Sequence, residues 1–355
     1  MSIFTPKKQA FGIEISDASI KVLQLKKGGK FYKLVGYNVL KIPQGIVVSG
    51  EIKDSKLLAS YIQKATNSAK PKKIFISNVV CSLPENKTFV RILEIPQMSK
   101  EELSEGIKWQ AEQYIPLPID TVYLDWQIIE TIDSRQRILV AAAPKKIVDS
   151  YINVLKIARL KPQVLDLEEA AEARALIPEN QKEASLIVDI GATKTVFFVQ
   201  DRKIVPFASN TQEVCGNKFT ENISKALKIN IENAEAKKAA CCSPDLSNEE
   251  KTLLQSIYPL FDSLATQIIK IIGYYQNHFK SANPINNIIL CGGGANISGI
   301  VPHLTLKLKM KISIANPLTN LPVKKSLPIN NQDLLSLTTV IGLGIRGAEI
   351  VKYSK

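Results

Sequence analysis

Histidine is nearly missing from these 355 residues. His278 and His303 lie far apart and outside any HExxH spacing, which argues against a histidine-based metal site. Cysteine is scarce and odd in number. Cys81, Cys215, Cys241, Cys242 and Cys291 show no CxxC spacing and fit a reducing compartment. The vicinal pair Cys241-Cys242, on or just after a basic helix, reads as reduced thiols, with a redox role the lesser alternative. No apolar run reaches the ~18–20 residues that a membrane span needs. The opening stretch MSIFTPKKQAFGIEIS lacks the apolar segment of a signal peptide, so the chain is expected to stay inside the cell.

What is present is ordinary globular composition, 45% hydrophobic and 22% charged. The length suits two domains or one large bilobed unit. Lys+Arg number 46 against Asp+Glu 33, a net charge of +13. Three readings compete: lysine spread over a soluble surface, an anionic membrane nearby, or nucleic acid, which needs basic residues clustered with stacking aromatics. The basic doublets (Lys7-Lys8, Lys26-Lys27, Lys72-Lys73, Lys145-Lys146, Lys237-Lys238, Lys324-Lys325) are scattered along the chain, which favours the first and argues against nucleic acid.

Alternation at Phe11, Ile13, Ile15 and again from Ile20 predicts strand, turn, strand, with Ser16-Asp17-Ala18-Ser19 as the turn. A third strand follows Gly28-Gly29, then a helix over 55–68 and a strand over 73–80. Ser99-Lys100-Glu101-Glu102 is a capping box opening a helix with Leu103, Ile107, Ala111 and Tyr114 on one face. Trp126 is in phase with the core face of the next strand, whereas Trp109 lies off the apolar stripe of its helix and suits either a partner contact or the core. Strand, helix, two strands and helix over about 83–162 read as a module inserted in a larger domain. Strand–turn–strand returns over 185–199. Helices are predicted over 219–227, 231–240 and 248–279, the last interrupted at Pro259. A buried strand at 288–290 runs into Gly292-Gly293-Gly294, and a helix over 340–350 ends the pattern.

One observation carries most of the functional argument. Gly12–Ser19 (GIEISDAS) and Ile187–Lys194 (IVDIGATK) share a pattern of apolar strand, acid, isoleucine, small residue and small or polar turn residues, then a second strand, 175 residues apart. Two such hairpins facing each other across a cleft suit a nucleoside triphosphate. Small turn residues let backbone N–H groups approach phosphate oxygens, and the acids hold Mg²⁺ or its waters.

With these motifs the chain resembles the actin/Hsp70/sugar-kinase superfamily. Within it, the chain is similar to the PilM family of actin-like type IV pilus assembly proteins, relatives of the cell-division protein FtsA. The stretches that carry the resemblance are GIEISDASIKVLQL, the block RILEIPQMSKEEL with IKWQAEQYIPLPIDTVYLDWQII, LVAAAPKKIVDSYINVLKIARLKPQVLDLEEAA, LIVDIGATKT, AEAKK, IILCGGGANISGI and VIGLGIRG. The PQMS…EQYIP…LDWQ block is the specific part.

The resemblance implies an α/β, actin-like fold of the duplicated ribonuclease H type, with two lobes and an FtsA-type inserted subdomain. Domain IA would cover 1–82, 163–185 and 337–355, the inserted IC subdomain 83–162, and domain II 186–336 with a helical IIB part. It places Glu14, Ser16, Asp17, Ala18, Ser19 and Lys21 on a first phosphate loop, and Asp189, Gly191, Ala192 and Thr193 on a second. Gly216 and Asn217 would form a nucleotide-contacting turn. Glu235 and Lys238 would face the nucleoside, and Gly292, Gly293 and Gly294 the adenosine. Glu168 and Asp189 take the catalytic roles, and Glu14 and Asp189 meet Mg²⁺ through water. The implied cofactors are ATP and Mg²⁺.

The implied partner is the cytoplasmic N-terminal tail of a PilN-like membrane protein within the pilus assembly platform, which would make membrane association indirect; homo-oligomerisation stays open. Glu14 and Ser16 stand where the family has aspartate and glycine. Glu14 adds a methylene to the metal-side acid, and a positive φ at Ser16 would cost ~1 kcal/mol or more. Slow or absent hydrolysis is therefore expected. Two alternatives stay open: an FtsA-like filament protein, which needs an amphipathic C-terminal anchor, and a small-molecule kinase, for which Asp120 and Asp125 are the candidate acids.

Overall fold

The structure is a computed structural model, and it describes residues 9–132, 134–202, 204–240, 248–279, 283–323 and 327–349. The chain divides into two compact units: Met1–Ala175 with Leu318–Pro328 and Thr339–Lys355, and Leu176–Pro317 with Ile329–Thr338.

The first unit opens with β1 (Phe11–Ile15), β2 (Ser19–Gly28) and β3 (Phe31–Lys41), then the short hairpin β4 (Val47–Val48) and β5 (Glu51–Ile52). Helix α1 (Ser55–Asn67) starts where Asp54 accepts the Leu57 N–H at 2.9 Å. There follow β6 (Lys70–Pro71), β7 (Asn78–Leu83), β8 (Phe89–Pro96), α2 (Lys100–Ala111), β9 (Val122–Ile132), β10 (Arg135–Pro144), α3 (Lys145–Ile157), β11 (Lys161–Leu167) and α4 (Glu168–Leu176). The remaining elements are β12 (Ala184–Ile190), β13 (Thr195–Asp201), β14 (Ile204–Thr211), α5 (Gly216–Leu227), α6 (Ile231–Ala240), α7 (Asn248–His278), β15 (Ile285–Cys291), α8 (Ile300–Leu308), β16 (Lys311–Ile314), α9 (Asn331–Leu334) and α10 (Thr338–Glu349).

The duplication seen in the two hairpins extends to sheet topology. The first unit's main sheet runs β11-β7-β1-β2-β3-β6, and the second unit's runs β16-β15-β12-β13-β14. In each, three antiparallel strands lead into two strands parallel to the first. The central strands β1, β7 and β12 are almost wholly buried, as a sheet covered on both faces requires.

The block after β7 forms its own sheet, β8-β10-β9, with Leu103 and Ile107 of α2 packed on Leu93, Ile95, Ile138 and Val140. Helix α3 does not share that core. Its Ile147, Val148, Tyr151, Val154 and Leu155 pack among Phe11, Ile13, Leu58 and Ile62.

Three local expectations change. The strand expected over 73–80 begins only at Asn78, because 72–77 finds no neighbouring strand to ladder with and Phe75 is 84% exposed. Helix α2 ends at Ala111 rather than carrying Tyr114 on its apolar face; an Ile115 N–H to Ala111 carbonyl bond closes a turn there, and Tyr114 is 56% exposed. Helix α7 runs through Pro259 without interruption. The buried stripe Leu254, Ile257, Phe261, Leu264 and Ile268 outweighs the one hydrogen bond the ring removes.

Candidate functional site

In the first unit, Glu14 on β1 lies opposite Lys21 on β2, and Lys21 Nζ donates to Glu14 Oε1 at 2.7 Å. The residue predicted for phosphate is thus ion-paired with the residue predicted for metal. Both are largely buried. Burial raises the Glu14 carboxyl above its ordinary range; Lys21 opposes the rise and the Glu168 carboxylate adds to it. Glu14 Oε2 is buried and accepts no hydrogen bond of ordinary geometry.

The turn between these strands closes on itself: Ser16 N–H to the Ser19 carbonyl at 2.9 Å, and Ser19 N–H to Ser16 Oγ at 3.1 Å. Ser16 is not among the positive-φ residues, so the expected backbone cost of a serine there is absent, and the hydroxyl instead braces the turn. Asp17, in the same turn, accepts the N–H groups of Ser49 and Gly50 at 2.8 and 3.0 Å and so also braces the β4–β5 hairpin. Ala18 accepts the Ile42 N–H through its carbonyl. Glu168, at the head of α4, accepts the Glu85 N–H at 3.2 Å and stands close enough to Glu14 for their charges to interact.

The second unit repeats the turn with the same closure, Gly191 N–H to the Lys194 carbonyl at 3.0 Å. Asp189 lies opposite Val196, so the cross-strand lysine of the first copy has no counterpart in the second. The N-terminus of α5 is bonded to this turn: Gly216 N–H to the Gly191 carbonyl and Asn217 N–H to the Ala192 carbonyl, both 2.8 Å. Lys238 on α6 reaches across to the Gly216 carbonyl at 3.0 Å, to Thr220 Oγ1 at 2.7 Å and to Glu235 at 2.6 Å. Thr220 also donates to Glu235. Ala192, Thr193, Asn217 and Glu235 are exposed.

The glycine turn closes this cluster. Gly292 has φ +78°, and a Cβ there would lie 2.1 Å from Asp189 Oδ1 and 2.6 Å from the Ile190 carbonyl oxygen. A Cβ on Gly294 would meet the Ile190 side chain at 2.3 Å, whereas one on Gly293 would meet nothing within 4 Å. Two glycines are therefore needed for packing against the hairpin, and the middle one presents bare backbone to open space. Asp189, Gly191, Ala192, Gly216, Asn217, Lys238, Gly292 and Gly294 are thus brought together within one unit.

Sequence reasoning missed Thr220 and Thr195. Thr195 Oγ1 donates to the Val214 carbonyl at 2.7 Å and ties the approach to α5 onto β13. Their one visible signal is that Thr220 stands a helical turn after Gly216, on the same face.

Of the kinase acids, Asp125 is exposed and accepts the N–H of its own neighbour Trp126, and Asp120 is exposed in a 3₁₀ turn. Trp126 packs against the inserted block's core and Trp109 is 67% exposed. Cys241 and Cys242 lie outside the described residues. Among the described residues no group of three His, Cys, Asp or Glu side chains could hold a metal ion, and no helix is long and apolar enough to cross a membrane.

Residues 12–348 match the family model described as "Type IV pilus assembly protein PilM". Among solved structures, the chain is similar to one described as "PilM-PilN type IV pilus biogenesis complex", with TM-score 0.80 and 23% identity over 97% of this chain and 99% of that one. It is also similar to the ethanolamine utilization protein EutJ from Carboxydothermus hydrogenoformans, with TM-score 0.57 and 13% identity over 96% of this chain and 90% of that one. A third likeness is to MreB5 of Spiroplasma citri bound to ADP, with TM-score 0.55 and 14% identity over 98% of each chain. These likenesses establish an actin-like α/β fold.

Proposed function

The chain belongs to the family of type IV pilus assembly protein PilM, and on that premise we propose that it is an actin-like, ATP-binding scaffold that captures the cytoplasmic tail of a PilN-like membrane protein. The observation that carries the nucleotide half is the Gly292–Gly294 turn beside Asp189. Bare backbone at Gly293 leaves room for the flat face of a purine and its ribose. The hairpin turn Gly191–Thr193, held by the N-terminus of α5, offers small residues to phosphate oxygens. MreB5 of Spiroplasma citri, which shares the fold, is described as bound to ADP and, in another structure, to AMPPNP.

Gly293→Val separates binding from folding. A Cβ there meets nothing within 4 Å in the protein, so the melting temperature should hold, while ATP affinity by isothermal titration should fall by about tenfold or more, as expected when a ligand loses its seat. Unchanged affinity would remove the turn from the site. Asp189→Ala should weaken binding as well.

Magnesium would arrive on the triphosphate and keep most of its waters, which suits a protein whose described residues offer no acid cluster. Asp189 would hold those waters in the second unit, whereas Glu14 in the first has one carboxylate oxygen bonded to Lys21 and the other buried. The ion would neutralise charge on the phosphates. With Lys21 tied to Glu14 and Glu168 tied to the Glu85 N–H, turnover is expected to be slow.

For the partner half, β8 and β9 each pair on one side only among the described residues, and Trp109, Tyr114, Tyr123 and Ile128 are exposed in the same block. An extended tail can add to such an edge and seat apolar side chains beside it, with a few aromatic anchors dominating affinity. Localisation next to a membrane would then be indirect, through that tail. Removing 83–162 would also take α3 out of the main core, so point changes are the better test. Trp109→Ala with Tyr114→Ala should weaken a labelled tail peptide by about tenfold or more in fluorescence anisotropy, with ATP affinity unchanged. Full retention of the peptide would place its groove elsewhere.

A further inference from the structure

Part of the positive charge that looks scattered along the chain falls in two segments of one unit. Residues 18–50 carry six lysines and 55–84 five, with no acid and no arginine in either segment. Both belong to the first unit. At the tip of the β2–β3 hairpin, Lys26 lies directly opposite Lys33, and Lys30 is in the turn; all three are exposed. On the neighbouring edge, β6 pairs Lys70 with Tyr37 and Pro71 with Gly36, and the Lys72 backbone lies against Gly36. Lys70, Lys72 and Lys73 are exposed as well, and Phe75 just after them is the most exposed large apolar side chain among the described residues.

Beside the hairpin tip is a cavity of about 650 Å³ with an apolar lining from Phe31, Tyr32, Leu34, Val323, Leu327 and Pro328, rimmed by Lys26, Lys27 and Lys33. Lys27 is neutralised by Glu349, which also accepts the Tyr32 hydroxyl at 2.6 Å. Lys26, Lys30 and Lys33 have no acid paired to them among the described residues.

Lysines on a sheet edge guard against stray strand pairing, and that accounts for β6. It does not account for Lys26 facing Lys33 within a paired ladder, where like charges cost stability. We propose that this hairpin tip, with the adjoining edge, is a docking face for the anionic surface of a phospholipid bilayer. Lysine without arginine gives point-charge attraction rather than forked recognition of a single phosphate, which suits a diffuse charged surface. Phe31, 41% exposed, and Phe75 supply apolar contact at the headgroup boundary. The contact needs no tail peptide and stands apart from partner capture.

The test is sedimentation of the full chain with vesicles of phosphatidylcholine plus phosphatidylglycerol, against phosphatidylcholine alone. Binding is expected only to the anionic vesicles and should fade as salt rises, since exposed charges are screened beyond ~10 Å at 0.1 M and ~3 Å at 1 M. Lys26→Glu turns the like-charged pair with Lys33 into an opposite-charged one. Its melting temperature should hold or rise, while vesicle affinity falls by about tenfold. Lys251→Glu, an exposed change in the second unit, should leave vesicle affinity as it was. Equal binding to neutral vesicles, or unchanged affinity in Lys26→Glu, overturns the proposal. So does tighter binding of a single-stranded oligonucleotide that the same substitution abolishes, which would make nucleic acid the occupant. Because no tail peptide is present, failure here leaves partner capture untouched, and failure of peptide capture leaves this contact untouched.

Discussion

Gly342→Ala should cost the protein about 3–5 kcal/mol, beyond the 1–3 typical of an overpacked core, because nothing near the new methyl group can give way. A Cβ at Gly342 would lie 1.8 Å from the carbonyl oxygen of Ala171 and 2.5 Å from its carbon. Both are backbone atoms of α4, so accommodation means moving one helix off the other. The neighbours are as tight. A Cβ at Gly344 meets Leu23 at 2.6 Å, one at Gly347 meets the Ala10 carbonyl oxygen at 2.4 Å, and one at Gly12 meets the Gly344 nitrogen at 2.7 Å. Helix α10 thus lies with its backbone directly on β1, β2 and α4 of the first unit, and any retreat strips cover from Val80, Ala171 and Leu343. Gly273→Ala is the internal control. It sits in α7 with nothing within 4 Å of its Cβ, so the same change should stabilise by about 0.5–1 kcal/mol through helix propensity. Urea denaturation of both variants checks the pair. A mild effect at Gly342 would mean that α10 is not seated against α4.

Asp166→Asn should cost about 3 kcal/mol and flatten the acid limb of the stability profile. Asp166 is 5% exposed and stands 2.5 Å from Arg346 of α10 and 2.9 Å from Arg174 of α4. Burial alone would raise its carboxyl, but the two guanidiniums outweigh it and hold the group below the usual aspartate range. Breaking a buried pair by removing one partner costs about 3–5 kcal/mol. The low end applies because the arginine side chains keep 22% and 27% of their surface exposed. The native carboxyl titrates below its unfolded counterpart, so as pH falls the unfolded chain takes up the proton first. This site's contribution is complete above about pH 5 and is lost progressively below about pH 4. Chemical denaturation of the wild type from pH 5 down to below pH 4 should show the loss, and Asp166→Asn should lack that part of it. An unchanged acid limb would mean that Asp166 does not supply the linkage.

The two hairpins were readable because their chemistry is local. An acid, an isoleucine, a small residue and a turn occupy consecutive positions, and a hairpin brings them to one end without help from the rest of the fold. The Gly292–Gly294 turn was readable for the same reason. The braces were not. Nothing at Asp17 announces that its carboxylate would close on Ser49 and Gly50, more than thirty positions ahead in the chain. The serine in place of glycine at position 16 suggested strain that the backbone does not carry, because the ~1 kcal/mol penalty depends on a φ that residue identity alone does not set. Pro259 was misread for the converse reason: a local breaker lost to a buried stripe that only tertiary packing supplies.

Periodicity, turn chemistry and the repeat 175 residues apart were enough to determine a duplicated α/β fold with paired hairpins, because each rests on contacts between near neighbours. Tertiary structure alone decided the rest. It put α3 in the main core instead of the inserted block, paired Lys21 with Glu14, and set the lysines of β6 on the edge beside the β2–β3 hairpin. Those outcomes turn on which surfaces meet after folding. Burial and charge energies act through space, and a linear pattern carries no record of which residues will become neighbours across a hundred positions or more.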